Sequence, residues 1–320
     1  MEKQMNFTEM EYGQRQHQTK REIFLQEMEE MIPWEECVRM IEPYYPSGKR
    51  GRPPREIEQM LRMLLLQVWF NLSDEGVEDA IYDSYAMKTF MGLNFAAGER
   101  VPDATTLCKF RKLMTVNGLQ DQFFEIVQRL LERSGRKVSG GTIVDATIIE
   151  SSKSTKNRAK KTDPEMHSVK KGSNYYFGIR EHIGADPIYG YVQTVVTTPA
   201  NTSEVKTAAT LVRPSDTVVY GDAGYCKLDR YVKDGVGHDY RINRQRGTFK
   251  RHYGGSLAWE TEKKLEGRKS SVRCKVEYVF HIVKDIFHWR RVRYKGIAKN
   301  HAFANLAFAS ANLYLLATEG

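Results

Sequence analysis

The sequence predicts a helical N-terminal module followed by a mixed α/β domain. Across the first 135 residues, segments such as REIFLQEMEEMI and EIEQMLRMLLLQVWF place apolar residues at the three-to-four spacing typical of amphipathic helices. Near residue 140 the pattern changes to short runs rich in Val, Ile, Tyr and Thr, beginning with GTIVDATIIE, and helical spacing returns from about Ser271. We therefore expect two domains, residues 1–137 and 138–320.

The composition is typical of a folded protein of the cell interior. Its 320 residues can bury a substantial core, and the hydrophobic share of 41% and charged share of 28% are ordinary for globular proteins. The N-terminus lacks the apolar core of a secretory signal, and the most apolar stretch, Ala302 to Ala317, predicts a buried helix that is too short to span a bilayer. We expect a cytoplasmic protein without membrane contact. The four cysteines contain no CxxC pair, which disfavours a zinc ribbon or a disulfide framework: Cys37, Cys108, Cys226 and Cys274.

The positive charge is concentrated in two segments. The chain carries a net charge of +9, which favours a polyanionic partner. From Arg241 to Asn300 there are seventeen Lys or Arg and five Asp or Glu, a surplus larger than that of the whole chain. A second basic segment runs from Ser151 to Lys171. Both segments predict contact with nucleic acid, although solvated basic loops would give the same pattern.

A basic linker is predicted at residues 44–55, YYPSGKRGRPPR, because its Pro and Gly residues cannot sustain a helix. Its core resembles the AT-hook, which implies that Lys49, Arg50 and Arg52 enter the minor groove of A·T-rich DNA. The alternative is an ordinary linker that touches phosphates.

Three carboxylates stand out from apolar surroundings. Asp145 follows Gly141-Thr142-Ile143-Val144, in or at the end of a strand, and Asp222 follows the strand-like run TVVYG. Burying an unpaired carboxylate costs several kcal/mol, so a positive group should lie nearby. Glu277 lies in a helical pattern beside a stripe of Val and Ile, which places it at the rim of a core. The polar stripe of that helix is Arg273, Glu277, His281, Lys284 and His288.

Acidic oxygens without Cys or paired His suit Mg²⁺ or Mn²⁺. Two such ions can activate an attacking hydroxyl and stabilise the leaving oxygen of a phosphodiester. Each acid also has a simpler explanation, because a strand-end Asp is often a turn residue and Glu277 could pair with Arg273 or Lys284. The acids and the basic segments together favour metal-dependent phosphodiester chemistry. We exclude His281 and His288 from the metal site because a helical His is more often packed or exposed.

Several segments resemble bacterial DDE transposases of the group named for insertion sequence five. The residues from Asp145 to Asp186, then TPANTSEVKTA, GDAGY and the terminal helix resemble the family catalytic domain, and the helical front half with its GRPP linker resembles the N-terminal domain. The resemblance implies an α/β ribonuclease H-like catalytic domain with an all-helical N-terminal domain for DNA binding and dimerisation. Asp145, Asp222 and Glu277 then serve as catalytic residues and metal ligands, the first Asp on the first strand and the second on the fourth.

A related family signature, Tyr-x2-Arg-x3-Glu-x6-Lys, is matched by Arg273, Glu277 and Lys284, whereas its Tyr position holds Ser270. Between Asp222 and Glu277 we expect a basic insertion at about 226–270, with aromatic residues interleaved. The arginines and lysine expected to contact DNA outside the linker are Arg273, Lys284, Arg244, Arg246, Arg290 and Arg291.

The expected function is DNA transposition. The resemblance implies an enzyme that binds the terminal inverted repeats of its insertion sequence, cleaves there with Mg²⁺ or substituting Mn²⁺, two ions per site, and joins the ends to target DNA as a homodimer. We expect it to be associated with the bacterial nucleoid. Two alternatives are a structure-selective nuclease or resolvase of the same fold, and a domesticated DNA-binding protein that has lost catalysis.

Overall fold

A computed structural model describes residues 17–48, 53–136, 140–151 and 163–318. The chain divides into two compact units, residues 1–119 together with 316–320, and residues 120–315. Lys49, Arg50 and Arg52 lie outside the described residues, so the minor-groove contact stays a prediction.

The described part of the first unit is helical, in agreement with the periodicity of the sequence. The central helix is buried around its whole circumference, with every residue from Met60 to Trp69 buried, because other helices pack around it. Short 3₁₀ turns lie at Glu42–Tyr44 and Phe95–Ala97. The helices are α1 (Lys20–Met31), α2 (Trp34–Ile41), α3 (Ile57–Trp69), α4 (Asp74–Asp83), α5 (Tyr85–Phe90) and α6 (Ala104–Val116).

One buried charge joins four helices of this unit. Arg62 of α3 forms ion pairs with Glu29 of α1 and with Glu58, the latter at 2.7 Å. Its guanidinium also lies 4.1 Å from the centre of the Trp34 ring and donates to the Phe90 carbonyl at 2.6 Å. Since a buried charge destabilises a fold unless it is paired, this set of contacts fixes how α1, α2 and α5 approach α3.

Asp103 is the N-cap residue of α6. Its carboxylate accepts from the backbone N–H of Thr106 at 2.8 Å, which satisfies one of the unpaired donors of the first turn. We expect Asp103→Ala to lower the free energy of unfolding by ~1 kcal/mol in chemical denaturation of the full chain. Asp103→Ser keeps an acceptor and should lose far less. Equal losses in both variants would show that capping is not the cause.

The second unit is a mixed α/β fold around one sheet. The elements are α7 (Leu119–Arg133), β1 (Gly141–Glu150), β2 (His167–Lys171), β3 (Asn174–Ala185), β4 (Val192–Pro199), α8 (Glu204–Ala208), β5 (Val218–Gly221), β6 (Asp239–Ile242), α9 (Arg246–Tyr253), α10 (Trp259–His281), a π-helical turn (Ile282–Ile286) and α11 (Ile297–Thr318). The sheet has the order β2-β3-β1-β5-β6, and β4 also pairs with β3. Strand β1 is antiparallel to β3 and parallel to β5, and β5 is parallel to β6.

The apolar C-terminal stretch is a buried helix, as predicted. The polar residues that interrupt it make internal hydrogen bonds. Asn312 of α11 accepts from the N–H of Val192 and donates to its carbonyl, both at 2.8 Å. Asn305 donates to Asp121 at 2.5 Å. Among the described residues, no helix has the length and apolar character needed to cross a bilayer.

Three features of this unit differ from the sequence-based expectation. Helix α7 belongs to the second unit rather than to the helical front half, and its Gln128 donates to the Val192 carbonyl at 2.7 Å. Strand β6 lies inside the range expected to be an insertion. It is instead part of the sheet, because it pairs with β5 and its Tyr240 and Ile242 pack against the apolar core. Helix α10 begins at Trp259, well before Ser271.

Candidate active site

The register of two parallel strands brings Asp145 and Asp222 to the same level. In the ladder between β1 and β5, Ile143 lies opposite Tyr220, so two residues further along each chain Asp145 stands level with Asp222. Strand β1 continues past Asp145, which therefore lies inside the strand rather than at its end. Asp222 follows the last residue of β5 and begins a 3₁₀ turn, where its carboxylate accepts from Gly224 N–H at 2.8 Å.

The carboxyl group of Asp145 is largely buried. Val144 belongs to the apolar cluster on one face of the sheet, so alternation directs Asp145 to the other face, towards α10. Burial and, to a smaller extent, the charge of Asp222 raise the pKa of Asp145 to about 6, although a hydrogen bond from Ala146 N–H and the charge of Arg273 act in the opposite direction. Two acids are thus held close enough to repel each other.

Arg273 connects the strand acid to the helix acid. Its guanidinium donates to Glu277 at 2.8 Å, one turn along α10, and lies 3.7 Å from the carboxylate of Asp145. The Glu277 side chain is 58% exposed, so it lies farther into solvent than a position at the rim of the core implies. Helix α10 therefore brings a third carboxylate and one positive charge to the edge of the site.

The donor chemistry of these acids fits a hard divalent cation. Within the described ranges, no group of three or more His, Cys, Asp or Glu side chains is arranged to hold a metal ion. The candidate ligands are carboxylate oxygens, which such ions prefer. A cation between Asp145 and Asp222 would also relieve the repulsion that raises the pKa of Asp145.

A fourth acid lies near the site and was missed by the sequence analysis. The charge of Glu204 in α8 also raises the pKa of Asp145. Glu204 forms an ion pair at 3.0 Å with Arg180, a nearly buried side chain of β3 that donates to the Thr202 carbonyl at 2.9 Å. Tyr225, a buried residue three positions after Asp222, has a raised pKa, mainly because of burial and secondly because of the charge of Asp145. Glu204 lies in TPANTSEVKTA, but α8 is too short for periodicity to single it out.

The basic residues after α10 lie at the end of β1. Lys284 sits in the π-helical turn and donates to the Ile148 carbonyl at 2.9 Å. Arg290 forms an ion pair with Asp285. Arg291 forms a parallel bridge with Glu150, the last residue of β1. Lys284 and Arg291 thus contact the end of the strand that carries Asp145.

The polar stripe predicted from Arg273 to His288 is wrong beyond His281. Helix α10 ends at His281, the π-helical turn changes the spacing, and His288 has a left-handed φ of 56° outside the helix. His281 forms an ion pair with Asp285 at 2.8 Å. Both histidines were left out of the predicted metal site.

The basic residues before α10 are exposed. Arg244 forms an ion pair with Glu262 at 3.1 Å, and its guanidinium lies 4.9 Å from the centre of the Tyr253 ring. Arg246 begins α9, a helix with no buried residue. Ser270, at the position of the signature Tyr, accepts from the Asn243 side chain at 3.2 Å. The aromatic side chains of this region pack on each other instead of entering the core: Phe249, Tyr253 and Trp259.

Comparison with known families identifies the chain. A family model described as "Transposase DDE domain" matches residues 136–313, more than half of the chain, and one described as "Transposase domain (DUF772)" matches residues 13–113. No solved structure matches it. DDE transposases use divalent metal ions to act on DNA. The chain therefore belongs to the DDE transposases, and it is a DNA transposase that catalyses DNA cleavage and strand transfer.

Proposed function

We propose that this transposase binds the terminal inverted repeats of its own insertion sequence, hydrolyses phosphodiesters at those ends and joins the freed 3′ hydroxyl to target DNA. The observation that carries the proposal is the β1–β5 register, which sets Asp222 level with Asp145 where α10 brings Glu277. The resemblance to the group named for insertion sequence five supports the same reading.

We propose a ribonuclease H-like fold for the catalytic domain. The support is the arrangement of β1 between an antiparallel strand and a parallel strand, with one acid on β1, one directly after β5 and one on α10. The helical N-terminal region is proposed to bind DNA and to form a homodimer that brings two ends together. An N-terminal domain separate from the catalytic domain, and nucleoid association, belong to the same proposal.

Asp145, Asp222 and Glu277 are the proposed ligands of two Mg²⁺ ions, for which Mn²⁺ would substitute. When bound, such ions activate the attacking hydroxyl and stabilise the leaving oxygen. The protein contributes Asp145, whose largely buried surroundings make charges interact more strongly than in water. It also contributes Arg273, which pairs with Glu277 and lies beside Asp145.

The DNA backbone is proposed to follow the positive charge on both sides of the acids. Because phosphate contacts with Lys and Arg position a duplex without reading its sequence, these residues are expected to set the register of the scissile bond. The proposed contacts are Arg273, Lys284, Arg244, Arg246, Arg290 and Arg291, with Lys49, Arg50 and Arg52 of the linker.

The test uses the full-length chain with Mg²⁺ and a duplex carrying the inverted repeat that flanks its gene. We expect cleavage at the repeat boundary and strand transfer, and at least ~10²-fold weaker cleavage of a scrambled repeat, since specific DNA sites bind far more tightly than random ones. Equal cutting of branched DNA without strand transfer would indicate a resolvase. Binding to the ends without cleavage in Mn²⁺ would indicate a protein that has lost catalysis.

A further inference from the structure

Helix α10 carries Glu277, but the core holds only a short part of it. The buried residues of α10 are Val276 and Val279, and the part of the helix before Val276 has no buried side chain. Because so little of α10 packs into the core, the polar contacts beside Val276 help to decide how the helix is rotated about its own axis. The direction in which Glu277 points therefore depends on those contacts.

Lys275 attaches this part of α10 to the turn between β3 and β4. Its ammonium group donates to the carbonyls of Pro187 and Ile188, at 2.7 and 2.8 Å. Charged donors form stronger hydrogen bonds than neutral ones. Gly190 lets the helix come this close, since its φ is 86° and a Cβ on it would lie only 3.3 Å from the Cβ of Lys275. The helix and the turn are thus in direct contact at Lys275.

The turn that receives Lys275 is itself fixed. The buried Asp186 carboxylate accepts from the N–H groups of Ile188 and Tyr189, at 2.7 and 3.2 Å. The Pro187 ring packs on the start of β1, so close that a Cβ on Gly141 would lie 3.0 Å from the ring. The carbonyls that accept from α10 are therefore held next to β1, the strand of the first candidate acid.

Lys275 and Arg273 attach α10 to the body of the unit on opposite flanks. Because they are two residues apart on a helix, their side chains leave it about 200° apart around the axis, with the buried Val276 between them. Arg273 lies beside Asp145 on one flank, and Lys275 binds the β3–β4 turn on the other. Rotation of the helix would break one of the two contacts. Glu277 follows two residues after Lys275, so the same contacts determine which way its carboxylate faces.

We infer that Lys275 is a positioning residue for the reaction. Its hydrogen bonds to the β3–β4 turn set the rotation of α10 and so keep Glu277 on the flank of the helix that carries Arg273 and faces Asp145. The inference rests on the proposed function, because it takes Glu277 to be a metal ligand. It adds a residue that the sequence pattern does not single out, since a lysine on a helix surface is ordinarily solvated.

The experiment measures Mn²⁺ affinity of the full-length chain without DNA, by electron paramagnetic resonance titration. Methionine keeps the apolar stem of the side chain but cannot donate, so we expect Lys275→Met to bind Mn²⁺ about tenfold more weakly, as is typical when the support behind a metal ligand is removed. Arginine can still donate to both carbonyls, and Lys275→Arg should bind Mn²⁺ nearly as wild type does. In single-turnover cleavage at saturating duplex, the Mn²⁺ concentration that gives half the maximal rate should rise by the same factor in Lys275→Met.

Lys269→Met is the matched control. Lys269 also lies on α10 and donates to a backbone carbonyl of the sheet, that of Ile242 at 3.2 Å, but it lies eight residues before Glu277. The substitution removes the same charge and the same kind of hydrogen bond, so the Mn²⁺ affinity of this control should equal that of wild type. Wild-type Mn²⁺ affinity in Lys275→Met, or an equal loss in both variants, would overturn the positioning role.

Glu277→Gln distinguishes a failure of this inference from a failure of the proposed function. Wild-type Mn²⁺ affinity in Glu277→Gln would remove Glu277 from the metal site, and the positioning role of Lys275 would fall with that assignment. Weaker Mn²⁺ binding in Glu277→Gln together with wild-type binding in Lys275→Met would leave the assignment intact and refute the role of Lys275 alone. Weaker binding in both variants, with Lys275→Arg close to wild type, is the result that we expect.

Discussion

Replacing Asp145 by asparagine is expected to reduce metal-dependent cleavage of an end-bearing duplex by at least ~10³-fold, equivalent to ~4 kcal/mol of transition-state stabilisation. The change keeps the shape of the side chain but removes one of the two carboxylates that the β1–β5 register brings together. Binding of the same duplex should change little, because the contacts with phosphates are made by Lys and Arg.

Stability provides a second readout that separates a catalytic from a structural role. Because the pKa of Asp145 is raised, ionisation of this carboxyl group near pH 7 lowers the free energy of unfolding. Asp145→Asn removes that cost, so the variant should unfold at an equal or higher temperature while it loses activity. A large drop in unfolding temperature would indicate a structural role.

The measurements are single-turnover cleavage with Mg²⁺ and Mn²⁺ affinity from an electron paramagnetic resonance titration. Weaker Mn²⁺ binding is expected together with the lost activity. Asp229→Asn is the control, since Asp229 is exposed in a 3₁₀ turn shortly after Asp222. It should cleave as the wild type does. Full activity in Asp145→Asn would refute the assignment of Asp145.

The periodicity of the sequence predicted those helices and strands whose burial is visible in the pattern of their own residues. The apolar residues of α3 and α11 and the β-rich runs of β1 and β5 are visible without any knowledge of the tertiary fold. Strand β6 is different, because its four residues lie in a basic stretch and become a strand only by pairing with β5. The sequence pattern of α7 likewise predicts that this helix belongs to the helical N-terminal module. Only its contacts with β4 and α11 assign it to the second unit.

The three acids were found because each is polar within an apolar pattern. What spacing cannot give is register: the alignment of Asp145 with Asp222 depends on strand pairing across more than seventy residues. The contact of Arg273 with Asp145 and the approach of Glu204 depend in the same way on packing between distant elements. The sequence therefore singles out the three acids as candidates, whereas their arrangement relative to one another depends on the fold.

The buried residue Glu181 leads to a prediction about stability that does not depend on the three candidate acids. It lies fully buried on β3, and its carboxyl accepts from the Thr197 hydroxyl at 2.6 Å. That hydroxyl also meets His301 at 3.0 Å, and the other ring nitrogen of His301 meets Asn305 at 3.3 Å. Burial lowers the pKa of His301, so a neutral ring can donate to Thr197 and accept from Asn305. No positive charge in this chain of hydrogen bonds compensates an ionised Glu181.

Burial raises the pKa of Glu181 from 4.5 to about 8. Between these values the folded state keeps a proton that the unfolded state has lost, so the free energy of unfolding falls as pH rises from 4.5 to about 8 and is constant above. At about 1.4 kcal/mol per pKa unit, this ionisation costs the wild type several kcal/mol at pH 9. Glu181→Gln cannot ionise and still accepts from Thr197, so it should be the more stable protein at pH 9 and nearly equal at pH 5.

Urea unfolding of the full chain at pH 5, 7 and 9 measures this difference, with tryptophan fluorescence and circular dichroism compared to establish whether the two units unfold together. Glu125→Gln on the exposed face of α7 is the control and should show the wild-type pH dependence. The difference in free energy of unfolding between Glu181→Gln and wild type should grow with each pH step, because glutamine cannot undergo the ionisation that destabilises the folded wild type as pH rises. A difference that is the same at pH 5 and pH 9 would mean that Glu181 stays ionised inside the fold and has a counter-charge.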